Sequence, residues 1–462
     1  MPRKALGQSG GYVLIIVLVV CLGLVSLTLL FGHSMMMVYR GSETDLAGRQ
    51  ADRAIEGAVQ YAEYLMVNNS GYGSVSSSGS SATGGGTGTN QGSVYYLPDP
   101  TLYKSEAVSV GDAAFWFIGE PATSDATTAP TFGLIDEASK LNLNTATPAM
   151  LQNLPNMTPN LAQAIITWRK TASSGTTSAT TTTSSSQGAK GGQFESIYEL
   201  AQVCGVDNDD LGILYGDDAN LNHVLDAGET ESSQFNPGIY EYVTVFSREP
   251  NTLPDGTKRV SVTTVSQELL TLLRNNFDSA RVAQMERGIR TGGAIRSVVE
   301  FYIRSGMTAD EFDLISKSLT MSTGTYATGL VNVNTASATV LQCIPGITQQ
   351  LAQQLVSART SQTQPYTNLA WIVPVIGNAA AIQAGPYLTT QTYQVTADVA
   401  AVGRYGRGYR RSLFVIDGST GTPQIVYRHN MASLGWALGA DALQTMTQQQ
   451  GGQQSGQQKM TQ

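Results

Sequence analysis

The sequence predicts an α+β protein: a long N-terminal membrane-spanning helix, an antiparallel sheet, and a large helical region built on an internal duplication. Three observations carry this. Residues 11–39 contain no Asp, Glu, Lys or Arg. Leu141–Ile165 matches Val331–Leu355 without a gap. Short β-favouring runs bounded by Pro and Gly precede the first copy and follow the second.

The run GYVLIIVLVVCLGLVSLTLLFGHSMMMVY is flanked by Arg3 and Lys4 before it and by Arg40, Glu43 and Asp45 after it. At 1.5 Å per residue it is long enough to cross a ~30 Å hydrocarbon layer. A basic head before an apolar run also resembles a secretory signal peptide, but this run exceeds an h-region of about 7–15 residues. No clean small-x-small cleavage pattern follows, so a retained helix is the better reading.

The 462 residues leave room for two or three domains at roughly 100–200 residues each. The net charge of -8 counts against general affinity for nucleic acid or anionic lipid, which need clustered Lys and Arg. Sparse charge with abundant Gly, Ser, Thr and Gln fits an extracytoplasmic protein. Cys21 lies in the apolar run. Cys204 and Cys343 can pair in an oxidising compartment, but two separate buried thiols is the simpler expectation.

In chain order, MPRKALGQSGG before the apolar run has the form cut by prepilin peptidase, which removes the leader and keeps the helix. Cutting after Gly11 makes Tyr12 the first residue; cutting after Gly10 makes it Gly11. The fifth mature position, Glu in most pilin-like subunits, is then Ile16 (or Ile15). Without a neighbour's amine to pair with, a buried carboxylate is costly, so its absence suits a subunit with nothing stacked above it. From Glu43 to Met66 the pattern predicts continued helix, with Leu46, Ile55, Ala58, Tyr61, Ala62, Leu65 and Met66 forming an apolar stripe. Ser70–Gly92 reads as a loose Gly/Ser/Thr loop. Tyr95–Leu97, Ala107–Val110 and Ala114–Ile118 read as strands.

The two copies, LNLNTATPAMLQNLPNMTPNLAQAI and VNVNTASATVLQCIPGITQQLAQQL, each predict helix, tight turn, helix. Thr145 and Thr335 can cap the first helix, and Asn156 and Gly346 suit a turn residue with positive φ. This is the helix-hairpin-helix signature. Such hairpins often hold DNA phosphates with basic residues nearby. Here Arg169, Lys170 and Arg359 flank them in an acidic chain, which favours packing over DNA binding. Gly191–Val206, after a Ser/Thr loop at Thr171–Gln187, and Pro365–Gly377 each predict a further helix closing a hairpin unit.

Asp218–Glu229 reads DANLNHVLDAGE. Oxygen ligands fall at the EF-hand positions for Ca²⁺: Asp218, Asn220, Asn222, the Val224 carbonyl, Asp226 and Glu229. His223 occupies the sixth position, where Gly normally makes a sharp turn with positive φ, at some cost to histidine. A polar loop that binds nothing is the alternative. Tyr240–Phe246 and Lys258–Thr264 predict a β-hairpin through Pro254–Gly256. Glu268–Lys317 predicts helices. Tyr393–Val399, Arg410–Ile416 and Gln424–Tyr427 predict strands returning to the first sheet. The Gln/Gly-rich tail predicts disorder.

Taken together, the leader without the fifth-position Glu, the paired NxNTA hairpins, the FESIYEL segment and the C-terminal strands resemble the K-type minor pseudopilins of type II secretion systems. The resemblance implies a pilin-like domain with a large inserted α-helical domain, structural Ca²⁺, and a place at the pseudopilus tip. It also implies partnership with I- and J-type minor pseudopilins, the major pseudopilin and prepilin peptidase, at the inner membrane with the head in the periplasm. The corresponding division is leader 1–11, transmembrane helix 12–39, first pilin-like part 40–135, and helical region with first hairpin and acidic loop 136–238. A strand hairpin 239–265, a helical region with the second hairpin 266–390, C-terminal strands 391–438 and a tail 439–462 complete it. Gly10–Gly11 at the cut, Asn156 in the first turn, His223 and the Ser/Thr insertions depart from the family pattern.

Enzyme signatures are lacking: only His33, His223 and His429 occur, with no HExxH, Walker loop or paired-Cys zinc pattern. A membrane-anchored DNA-binding or type IV pilus minor pilin is the alternative function, and an anchored periplasmic enzyme a third.

Overall fold

The computed structural model describes residues 10–68, 97–120, 130–170, 190–203, 208–224, 229, 236–362 and 365–439. Helix α1 (Gly10–Asn68) is unbroken over 59 residues. Its first half, from Leu14 to Tyr39, is exposed apolar surface, and by length and composition it can cross a membrane. Its second half buries Ala47, Ala51, Ala54, Ile55, Ala58, Val59, Ala62, Leu65 and Met66. Leu46, placed in that stripe by the sequence pattern, is 55% exposed. Its neighbour Ala47 takes the buried position, one residue or roughly 100° round the helix.

Strands β1 (Val108–Val110), β2 (Ala113–Gly119), β3 (Thr131–Phe132) and β4 (Ile135–Asp136) follow. The first copy comprises β5 (Leu141–Asn142), α2 (Pro148–Gln152), α3 (Pro159–Arg169), α4 (Leu200–Val203), α5 (Asn208–Tyr215) and β6 (Val243–Thr244). Next come β7 (Arg248–Pro250), β8 (Val260–Ser261), α6 (Gln267–Asn276), α7 (Ser279–Arg290), α8 (Val298–Ser305), α9 (Ala309–Ser316), β9 (Leu319–Thr320) and β10 (Tyr326–Thr328). The second copy comprises β11 (Val331–Asn332), α10 (Ala338–Leu341), α11 (Gln349–Thr360), α12 (Ile372–Ile376), α13 (Asn378–Ala384) and β12 (Leu388–Thr389). Strands β13 (Gln394–Val402), β14 (Arg410–Asp417) and β15 (Gln424–Asn430) close the chain's described part.

The main sheet runs β1-β2-β13-β14-β15, with β3 beside β2 and β4 beside β13, antiparallel throughout. Strands from both ends of the chain therefore share one sheet, as the sequence pattern predicts. Phe115, Phe117, Val399, Ala401 and Phe414 pack on the alanine stripe of α1. On the opposite face Trp116, Ile118, Ala400 and Val402 meet Trp436, Ala437 and Leu438. Cover on both sides explains why AAFWFIG is apolar at every position instead of alternating.

The duplication reaches further than the matched sequence. Each copy opens on a strand that pairs in parallel with the strand closing it: β5 with β6, and β11 with β12. Both copies bury their hairpins in one shared core containing Leu151, Leu161, Ile165, Leu341, Ile344 and Leu355. The short helices expected after each hairpin are present. Helices α6–α9, expected from Glu268–Lys317, form a separate core around Leu273, Met285, Phe301 and Ile315.

The expected hairpin of Tyr240–Phe246 with Lys258–Thr264 does not form. Strand β6 pairs with β5, and β8 pairs in parallel with β9. The Pro254–Gly256 turn closes only its own tip, where Thr252 bridges Lys258 and Leu253 N–H donates to Thr257 O at 2.7 Å. Distant partners that bury both flanks override the local turn signal. Cys343 is a free buried thiol whose Sγ donates to Thr339 O; Cys204 lies outside the described residues. So do Ser70–Gly92, Tyr95, Tyr96, Thr171–Gln187 and the tail from 440.

Candidate functional sites: the hairpin repeats and the acidic loop

The NxNT motif does the same work in both copies. Asn142 Oδ1 accepts the Asn144 N–H at 2.9 Å, and Asn332 Oδ1 accepts the Asn334 N–H at 3.0 Å. Asn144 clamps the backbone of Phe194 with both ends of its amide (3.0 and 2.8 Å). Asn334 clamps Tyr366 identically (2.9 and 3.1 Å). Helix starts are capped by Thr147 and Ser337, then by Thr158 and Thr348. The caps expected at Thr145 and Thr335 thus fall two residues later, while Thr335 itself donates to Asp136. Asn156 (φ 57°) and Gly346 (φ 87°) occupy the left-handed turn position, as expected.

The arginines weighed as phosphate contacts point inward. Arg169 donates to the carbonyls of Leu143 and Ala146. Arg359 donates to Val333 O at 3.0 Å and to Ala336 O, and burial lowers its pKa to about 10. The second turn is covered: a Cβ at Gly346 would stand 2.7 Å from Gln383 Cβ and 3.1 Å from Ala380 O on α13. The first turn is exposed but uncharged, with Gln152, Asn153, Asn156 and Asn160.

The acidic loop is an excursion between α5 and the segment closing the first copy, at a point where the second copy passes directly from α13 towards β12. Its stem is shut by Gly216 bridging Pro237 and by Asp217 N–H donating to Asn236 O at 2.8 Å. The loop then curls around Asp218, whose carboxylate accepts the N–H groups of Asn222 (3.0 Å) and His223 (2.8 Å). His223 has φ 62°, the conformation its position was expected to demand. Asn222 Oδ1 accepts the Val224 N–H, and its amide nitrogen donates to Ala437 O at 2.7 Å. Burial raises the Asp218 pKa, opposed by His223.

Beneath the loop lies Arg411, 1% exposed. It forks onto Asp398 (3.0 and 2.6 Å) and donates to the carbonyls of Asn220 and Leu221. His223 Nδ1 pairs with Glu241 at 2.6 Å; the charged ring outlasts its burial because of that carboxylate, and its pKa rises to about 9. Glu120 and Lys140 form a half-buried pair alongside. Lys140, His223, Glu241 and Asp398, with Tyr198, Tyr240 and Tyr427, line a cavity of about 70 Å³ between the sheet and the first copy. His429 stacks on Tyr198 at 4.3 Å, and burial lowers its pKa.

As a test for Ca²⁺, the described part of the loop offers two carboxylates, Asp218 and Glu229, with Asn220, Asn222 and the Val224 carbonyl; Asp226 lies outside the described residues. That is hard-oxygen chemistry on a backbone turned as a cation loop requires. Among the described residues no group of three or more His, Cys, Asp and Glu converges as metal ligands do. Gly11 and Tyr12 lie in the first turns of α1, and Ile16 is half-exposed on its apolar half.

Sequence reasoning missed Asp136 and Glu137. Asp136 accepts from Asn332, Thr335 and Thr392 (2.8, 2.7 and 2.7 Å) and from the Ala138 N–H. Glu137 accepts from Thr244 and Thr396. One adjacent acid pair therefore ties both copies to the sheet. Its only sequence signal is two adjacent acids a short way before the first NxNT motif, separated from it by residues 138–141.

A family model for the helix-hairpin-helix motif matches residues 136–174, the first hairpin, and 327–389, the second copy. No curated protein matches the chain. Fold and motifs define a class: an α+β head carrying paired helix-hairpin-helix units behind a long apolar N-terminal helix.

Proposed function

We propose that this chain is a minor pseudopilin at the tip of a type II secretion pseudopilus, which nucleates or caps the filament and helps export folded proteins. The observation carrying the reading is the single helix α1, apolar in its first half and packed through its second half on a sheet made from both chain ends, with Ile16 where a Glu would pair with a subunit above. On this reading residues 40–135 and 391–438 form a pilin-like domain, and 136–390 an inserted domain. Prepilin peptidase cuts after Gly10 or Gly11, leaving a single-pass inner-membrane subunit with its head in the periplasm. Its partners are the I- and J-type minor pseudopilins and the major pseudopilin, and it has no enzymatic role. Asp218, Asn220, Asn222, Val224, Asp226 and Glu229 hold a structural Ca²⁺ that fixes the loop over Arg411.

Mass determination of the mature N-terminus tests this. A chain beginning at Gly11 or Tyr12 with the apolar run intact is expected; one retaining Met1, or lacking the run, defeats the proposal. The alternative, DNA binding through the hairpins, is disfavoured by the inward use of Arg169 and Arg359 and the covered second turn. Salt-dependent DNA binding by the protein would revive it.

A further inference from the structure

The connection between β13 and β14 with the first residue of β14, residues 403–410, reads GRYGRGYR and contains no acid. It lies against α1 just beyond the apolar half. Gly403 and Gly408 permit the approach: a Cβ on them would stand 2.1 Å from Ala47 O and 2.3 Å from Gly48 N. Arg404 N–H donates to Gln50 (3.1 Å), and Arg407 pairs with Glu43 at 2.9 Å. Glu43 is four residues past Tyr39, hence roughly 6 Å along the axis. Each headgroup layer of a bilayer is roughly 5–8 Å deep, so with Tyr39 at the hydrocarbon edge Arg407 sits at headgroup height.

The charge left over here is positive. Four of the five acids of α1 have an arginine partner: Glu43 with Arg407, Asp45 with Arg49, Asp52 with Arg410, and Glu56 with Arg428; the fifth, Glu63, stands roughly 30 Å further along the helix than Glu43. Arg40, Arg53 and Arg404 have no acidic partner among the described residues. Arg404 instead lies over the Tyr405 ring at 4.7 Å, and Tyr405 holds φ 59°, a costly conformation for a bulky residue. Tyr39 and Tyr409 are exposed nearby, matching the tyrosines that line membrane interfaces.

We propose that this loop is a second membrane contact, in which Arg407, together with Arg40 three residues before Glu43 on α1, binds the headgroups of anionic phospholipids around α1. It sets the depth and tilt of the head. The inference rests on α1 being a membrane helix, as proposed above. The chain's overall negative charge does not oppose it, because folding brings Arg407, from the C-terminal strands, to the level of Arg40 and Glu43 on α1.

The test is amide hydrogen exchange of residues 403–410 in the full chain, reconstituted in nanodiscs of phosphatidylcholine alone or with phosphatidylglycerol. Each arginine at an anionic surface is worth roughly fivefold in local affinity. Exchange is therefore expected to slow at least about fivefold in the anionic discs, with the difference lost in Arg407→Gln and in high salt. Residues 141–170 should exchange equally in both discs. Equal exchange of 403–410 in both discs, with the chain embedded, overturns the proposal. So does equal protection by inorganic phosphate, or protection that appears only when an acidic partner subunit is added. Failure to embed in either disc instead overturns the membrane reading beneath it.

Discussion

Arg411 is buried with its guanidinium split between Asp398 and two loop carbonyls, so its removal strands a carboxylate. Arg411→Met is expected to cost about 3–5 kcal/mol in urea unfolding, with part of the loss recovered by adding Asp398→Asn. No recovery would mean the arginine acts mainly through the loop. Asp136 gives a pH signature. Burial, opposed by its four hydrogen bonds, raises its pKa to about 6 in the fold, against an ordinary value near 4. The folded state thus binds its proton more tightly. The stabilisation is fully present below about pH 4 and lost as pH rises through 6. Asp136→Asn should flatten the dependence of melting temperature on pH between 4 and 7; an unchanged slope would assign it to other groups.

At the scale of elements, the amide clamps are the parts that make the two copies one design. Asn144→Ala leaves two backbone groups of Phe194 without their partner, Asn334→Ala leaves those of Tyr366 and the Thr390 carbonyl, and each is expected to cost about 1–3 kcal/mol. Similar costs in both, measured by urea unfolding, would follow from their shared geometry, and a near-zero cost in one would show that its copy is held chiefly by packing. The turns differ. Gly346→Ala drives a Cβ into α13 at a positive φ, whereas Asn156 already bears a Cβ in an exposed turn. Gly346→Ala should therefore destabilise by more than 1 kcal/mol, while Asn156→Gly should be close to neutral.

For the whole molecule, the acidic loop is an insertion that distinguishes the first copy from the second, and it rests on the sheet through Arg411 and Ala437. If it holds Ca²⁺, chelation should lower the melting temperature of the whole chain by linkage, and Glu229→Ala should abolish that response. A melting temperature indifferent to chelator in the unaltered chain would remove calcium from the account. The Asp136–Glu137 pair makes a complementary link, so the head is joined to its sheet at two places far apart in sequence.

The sequence alone determined the apolar helix, the duplicated hairpins with their turn residues, and most helices and long strands, because periodicity and local turn chemistry act between near neighbours. It also marked His223 as a position needing positive φ. Only the tertiary structure decided the pairing of β6 and β8 with distant strands, the inward use of Arg169 and Arg359, the anchoring by Asp136 and Glu137, and the arginine cluster beside α1. Each of these joins residues remote along the chain, and the partner of a charged or hydrogen-bonding side chain is chosen by folding, not by its neighbours in sequence.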